Sequence, residues 1–210
     1  MNFKLNFKKR IVFAYQRNII SILSCLFIIS NVSGQSVFDW NGSYKLSESD
    51  FAASRSGTGG DIYTIYAACT INLAFQMSNY EFMFSKNFNS KVTTTFNRNA
   101  SYIIAPDSIV SKKLLNFAQA EFDLAELFAR KFRKSMYENK KAFSDPSFYQ
   151  KLYDNMQSEY AVKSSELGQS TNMGMAEVRL QEQHVMILSE IDDLRDFCKD
   201  CKPKRKKKDI

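Results

Sequence analysis

Apolar residues change period once along this chain, near Pro106. Before it they fall in short runs rich in β-branched and aromatic residues; after it they recur at helical spacing almost to the end. In the first half, Ser36 to Leu46 (SVFDWNGSYKL) predicts a short strand closed by an Asn41-Gly42 turn. Ser47 to Asp61 is small and polar and ends in Gly57-Thr58-Gly59-Gly60, a loop and not a phosphate cradle, because no Lys-Ser/Thr and no helix follows. Tyr63 to Gln76 alternates in part, as strands do. From Tyr80 the pattern puts Tyr80, Phe82 and Phe84 on one face and Glu81, Met83 and Ser85 on the other, predicting a half-buried strand. Lys91 to Arg98 and Ser101 to Ile104 complete the set. The connections are too short for crossover helices, so antiparallel pairing is expected.

Three helices are predicted after Pro106. The first and longest covers Ser111 to Met136, about seven turns without Gly or Pro, with Asp107 or Ser108 as its cap. Its polar residues crowd toward Arg130, Lys131, Arg133 and Lys134, where cations suit the negative end of the helix dipole. A second starts at Ser144-Asp145-Pro146, a cap followed by proline in the first turn, and runs to about Ser164. Gly168 to Gly174 breaks the pattern. The third, Met175 to about Phe197, places Leu180, His184, Ile187, Ile191, Leu194 and Cys198 in one stripe. Strands followed by helices predict an α+β domain: an N-terminal antiparallel β-sheet, then three helices, the first of them central.

The ends carry the charge. Lys4, Lys8, Lys9, Arg10 and Arg17 precede the apolar run Ile19 to Val32, and Val32 and Gly34 are small enough for a signal-peptidase site. Residues 1–34 therefore predict a secretory signal peptide, and export to the periplasm or outside the cell. Left uncleaved, the run would be a short membrane anchor. Removing its five cations takes the formal charge from +7 to +2. The tail, residues 200–210, holds Lys202, Lys204, Arg205, Lys206, Lys207 and Lys208, so the body ahead of Lys202 carries −3 once Asp209 is counted with the tail. The basic balance thus belongs to the two ends and does not describe a nucleic-acid-binding face. Lys202 to Lys208 lacks interleaved aromatics to stack on bases, but could attract an anionic surface.

Cys69, Cys198 and Cys201 remain after such a cleavage, an odd number that implies one bridge and one free thiol. Cys198-Lys199-Asp200-Cys201 lacks the second ligand pair of a zinc site and the strand-then-helix context of a redox motif. It predicts a structural bridge, either local or to Cys69.

The long helix carries the most specific pattern. From Leu114 to Arg133 it reads Leu-Leu-x-x-x-Gln-x-x-Phe-Asp-Leu-Ala-Glu-Leu-x-Ala-Arg-x-x-Arg. This resembles the active-site helix of a family of bacterial secreted zincin-like proteases, a domain of unknown function in which the helix reads roughly L-L-x-H-E-Q-x-H-F-D-[IL]-A-E-L-x-A-R. Gln119, Phe122, Asp123, Leu124, Ala125, Glu126, Leu127, Ala129 and Arg130 agree with it. Weaker similarity touches Trp40, Ala52-Ala53, Ser101 and the segment after Tyr160, where the family resembles Y-D-x-E-T-x-H-G and this chain has Glu166 at the His position. The resemblance implies a single zincin-like domain over residues 35–199.

In that family two His one helical turn apart would bind zinc, and the intervening Glu would activate the bound water. Those positions are Phe117, Ala118 and Glu121 here. Phenylalanine ligates no metal and alanine accepts no proton, so the resemblance implies a degenerate member. The expected function is that of a non-catalytic binding or structural module in the bacterial envelope, with no cofactor. The alternative is a hydrolase whose metal site has been rebuilt from Glu121, Asp123, Glu166 and His184, the chain's one histidine. The plainer expectation leaves the carboxylates hydrogen-bonded or solvated, and His184 a satisfied, partly buried side chain.

Overall fold

The computed structural model describes residues 36–56, 60–74, 78–140 and 147–203. The leader, most of the glycine cluster, the Ser144-Asp145-Pro146 start of the second helix and the tail beyond Pro203 lie outside them. Six strands and four helices are present among the described residues: β1 (Val37–Asp39), β2 (Ala53–Ser56), β3 (Thr64–Tyr66), β4 (Cys69–Leu73), α1 (Asn79–Phe84), β5 (Val92–Asn97), β6 (Tyr102–Ala105), α2 (Ser108–Asn139), α3 (Ser147–Thr171) and α4 (Glu177–Asp193). The class is α+β. The strands form two sheets of three, ordered β1-β5-β4 and β2-β6-β3. The first is antiparallel throughout, with Phe38 opposite Phe96 and Ile71 opposite Thr94. In the second, β3 pairs antiparallel with β6 but β2 pairs parallel to it, a departure from the expected all-antiparallel arrangement. Residues between β2 and β6 are numerous enough to let the chain return to the same end.

The strand expected at Tyr80 is a helix. Ser78 caps α1 by accepting a hydrogen bond from the Glu81 amide at 3.0 Å, and the segment is too short for its apolar pattern to separate a period of two from a helical one. Phe82 turns inward against Tyr149, with ring centroids 5.3 Å apart, whereas Tyr80 and Phe84 stay outside. The outcome also breaks the strands-then-helices order.

α2 lies at the centre. Asp107 caps it, Oδ1 accepting from the Val110 amide at 2.8 Å, and every residue from Phe117 to Arg130 is buried. One side packs with α3, α4 and β4 around Phe128, Phe132, Leu167, Leu180 and Ile187; the other packs on the sheets around Phe96, Ile103, Leu114, Ala118 and Phe122. A helix enclosed on all sides needs apolar residues on every side and hydrogen-bond partners for the polar ones it buries, here Gln119, Glu121, Asp123, Glu126, Arg130 and Arg133.

Two helix ends differ from expectation. α3 passes through Ser164 and Gly168 to Thr171, and the chain reverses at Asn172, Met173 and Gly174, all at positive φ. α2 runs to Asn139, so Arg130 and Arg133 stand inside the helix and do not serve its C-terminal dipole. They instead bind a buried carboxylate. Glu126 Oε1 accepts from Arg130 Nε at 2.9 Å and from Arg133 at 2.8 Å, while Thr94 donates to Oε2 at 2.8 Å. The same guanidinium groups donate to the Ile191, Phe197 and Val92 carbonyls, joining α2 to α4, to the turn after it and to β5.

Cys198 and Cys201 form a disulfide and Cys69 is a free thiol. Among the described residues no helix is long and apolar enough to cross a membrane.

Candidate functional site

The three positions where the resemblance places zinc chemistry fall on different sides of α2. Phe117 faces the end of α3. A Cβ on Gly168 would lie 3.6 Å from its ring, and one on Gly174 would lie 3.0 Å from Phe117 Cβ. The aromatic side chain thus meets two glycines, which leave it room. Ala118, about 100° round the helix, is fully buried in the cluster with Phe96 and Phe122.

Glu121 lies one turn beyond Phe117 and also faces α3. Ser164 donates to its Oε2 at 2.8 Å, and Oε1 has no hydrogen-bond partner. Burial raises its pKa from 4.5 to about 7, the Ser164 hydrogen bond opposing that rise. The carboxyl therefore divides between neutral and ionised forms near neutrality. Cys69 shares this region: burial, then Glu121 and Asp123, push its thiol well above the usual range. Tyr160 is raised by burial, then by Cys69, Glu121 and Tyr66. These groups have the character of a dry interior, in which each resists charge.

Asp123 occupies a different environment although it is only two residues further on, since two helical steps turn a side chain through more than half a circle. Trp40 Nε1 donates to Oδ1 at 2.7 Å, Gln119 Nε2 to Oδ2 at 3.2 Å, and His184 Nε2 lies 2.7 Å from Oδ2. Burial works to raise the Asp123 pKa, but the bonds from His184, Trp40 and Gln119 outweigh it and hold the carboxyl below its ordinary value. An ionised carboxylate only accepts, so His184 carries its hydrogen on Nε2. Gln119 is fixed in turn, its Oε1 accepting from the Leu46 amide at 2.9 Å. The Arg130 guanidinium lies over the Trp40 ring at 5.3 Å. One carboxylate thereby joins the N-terminal segment, α2 and α4. His184 borders a surface depression of about 600 Å³ with Lys45, Asn116 and Glu182.

Glu166 belongs to neither group. It points to solvent from α3 and pairs with Lys163 at 2.6 Å. Of the four candidate ligands, only Asp123 and His184 touch, and among the described residues no three His, Cys, Asp or Glu side chains gather as metal ligands do. The donor set does not fit a zinc ion of the kind the family pattern would bind. A ring packed on two glycines stands at the first ligand position, a buried methyl at the base, and at the second ligand position a carboxyl bonded to a serine.

Sequence reasoning missed Ser164 and the joint role of Trp40 and Gln119. Gln119–Asp123 and Glu126–Arg130 are spaced i, i+4, the one signal available in advance. The Trp40 and Ser164 contacts span 83 and 43 residues and leave no local trace.

Compared with protein families, with curated proteins and with solved structures, the chain finds no match. The family resemblance therefore rests on the residue pattern alone, sharpest along α2.

Proposed function

We propose that this is an exported, non-catalytic relative of the zincin-like proteases, serving as a binding or structural module in the bacterial envelope. The observation that carries the reading is a division of labour along α2. The residues that agree with the family pattern are those that tie the molecule together: Gln119 and Asp123 hold Leu46, Trp40 and His184, and Glu126 and Arg130 hold Thr94 and Ile191. The residues that depart from it, Phe117 and Ala118, are apolar and packed, and Glu121 bonds Ser164. A scaffold kept while its ligands change to packing side chains is what loss of catalysis leaves behind.

Two measurements test this. The purified protein should contain no stoichiometric zinc and cleave no peptide substrate, and Glu121→Ala should change neither result. The double substitution Phe117→His, Glu121→His should create zinc binding, because it returns two imidazoles to one face of α2. Stoichiometric metal in the unaltered protein that Glu121→Ala or Glu166→Ala removes would overturn the reading in favour of a rebuilt carboxylate site. Failure of a folded double variant to take up zinc would remove the zincin scaffold from the proposal.

A further inference from the structure

The outer face of α1 has no explanation in the core. Tyr80, Met83 and Phe84 are 73%, 47% and 70% exposed, and their i, i+3, i+4 spacing puts them on one side of the helix. Tyr80 and Phe84 pack against each other with tilted rings, centroids 4.6 Å apart. The helix that presents them is well anchored. Ser78 caps it, Phe82 packs against Tyr149 beneath it, and Glu81 pairs with Lys91 at 2.9 Å.

The root of the basic tail is brought to the same place. After the Cys198–Cys201 disulfide, the Cys201 carbonyl accepts from the Asn87 and Asn89 side chains at 3.1 and 3.0 Å. Lys202 and Pro203 consequently border one depression with Phe84, Lys86, Tyr137 and Glu138. The next five residues in sequence are Lys204, Arg205, Lys206, Lys207 and Lys208. The sequence thus passes into a run of cations directly after Pro203, which lies beside exposed aromatic side chains. The disulfide and the two asparagines hold Cys201, and with it Lys202 and Pro203, at this place.

We infer that the face formed by α1, Lys86 and the root of the tail docks on an anionic phospholipid bilayer. Tyr80, Met83 and Phe84 enter the interface, Lys86 and Lys202 meet the headgroups, and the cations that follow Pro203 in sequence add to the attraction. Charge complementarity and side-chain type choose this occupant. Aromatic residues with a polar tip favour the membrane–water interface, and clustered Lys/Arg beside them respond to its negative potential. Neither signal suffices alone, since reversible surface attachment becomes stable when an apolar and a basic element act together. Three exposed side chains are too few for the core of a stable protein interface, and the basic run has no interleaved aromatics with which to read nucleic acid. The inference does not depend on the proposal for α2 and is tested separately.

The test introduces a fluorophore at the face itself. In the full chain, Phe84→Trp should fold normally because the position is exposed, and the chain's one natural tryptophan, Trp40, supplies the background. Vesicles of phosphatidylcholine with phosphatidylglycerol should shift the new emission to the blue, and brominated acyl chains should quench it. Phosphatidylcholine alone should do neither. Deleting residues 204–210 should raise the lipid concentration needed by about tenfold or more, and Tyr80→Ser with Met83→Ser should weaken quenching without affecting thermal unfolding. If the chain sediments with vesicles while the introduced tryptophan stays unquenched, the membrane contact lies elsewhere and the inference fails. It fails equally if neutral vesicles quench as well as anionic ones, or if no vesicle does and only a protein partner changes the signal.

Discussion

His184 Nε2 lies 2.7 Å from Asp123 Oδ2, a contact between α4 and α2 across 61 residues of sequence. It is one of three hydrogen bonds that converge on this carboxylate, with those of Trp40 and Gln119. Their combined effect is to make an ion tolerable in the middle of the molecule.

Asp123→Ala should destabilise the protein by roughly 3 kcal/mol or more, because it leaves the Trp40, Gln119 and His184 donors without their acceptor. The pH dependence follows from the depressed pKa. The carboxylate's contribution is fully present above 3.8, its ordinary value, and is lost as the pH falls through the lower folded value. Urea unfolding of the natural chain and the variant between neutrality and strong acid reads this directly. A constant difference across that range would show that Asp123 is not held as an ion.

Glu121 should behave in the opposite way. Its folded pKa is about 7 against an ordinary 4.5, so the unfolded chain releases this proton first as pH rises. Stability assigned to the neutral group is complete below 4.5 and lost as pH climbs through about 7, a change of roughly 3 kcal/mol. Glu121→Gln cannot ionise and should flatten the profile between those values, leaving the variant relatively more stable at alkaline pH. Parallel profiles for the two proteins would count against a buried proton at this position.

Glu126→Leu should be among the most damaging single changes. It removes the shared acceptor of Arg130 and Arg133, both buried, and strands their charges at an expected cost of roughly 3 to 5 kcal/mol. Loss of cooperative thermal unfolding is the readout. A change below about 1 kcal/mol would mean that the three backbone carbonyls satisfy the arginines by themselves.

Gly174→Ala should cost about 2 kcal/mol or more in chemical unfolding. The residue has φ +94, and a Cβ there would lie 2.5 Å from the Lys113 carbonyl oxygen. The neighbouring Gly168 sits in helical backbone with its nearest obstacle 3.6 Å away, so Gly168→Ala is the control and should be far milder. Equal effects would show that α3 and the turn after it adjust freely around Phe117.

α2 was legible in the sequence because its evidence is local. Asp107 caps it, nothing interrupts it, and its apolar residues cover every side, as an enclosed helix requires. β5 was legible as a strand within Lys91 to Arg98, and the structure shows Val92, Thr94 and Phe96 alternating inward. α1 was misread as a strand since six residues give too little length to separate a period of two from one near four. Gly168 was misread as a break, although one glycine in a long helix costs only about 1 kcal/mol and here leaves space for Phe117.

The sequence by itself determined the α+β class and the central helix, because helix period and capping are properties of neighbouring residues. Only the tertiary structure decided that Glu121 meets Ser164, that His184 meets Asp123, that the bridge joins Cys198 to Cys201, and that Lys202 and Pro203 lie beside Phe84. Side chains two residues apart on an enclosed helix face different neighbours, and which elements pack on each face is set by contacts distant along the chain, where no local pattern records them.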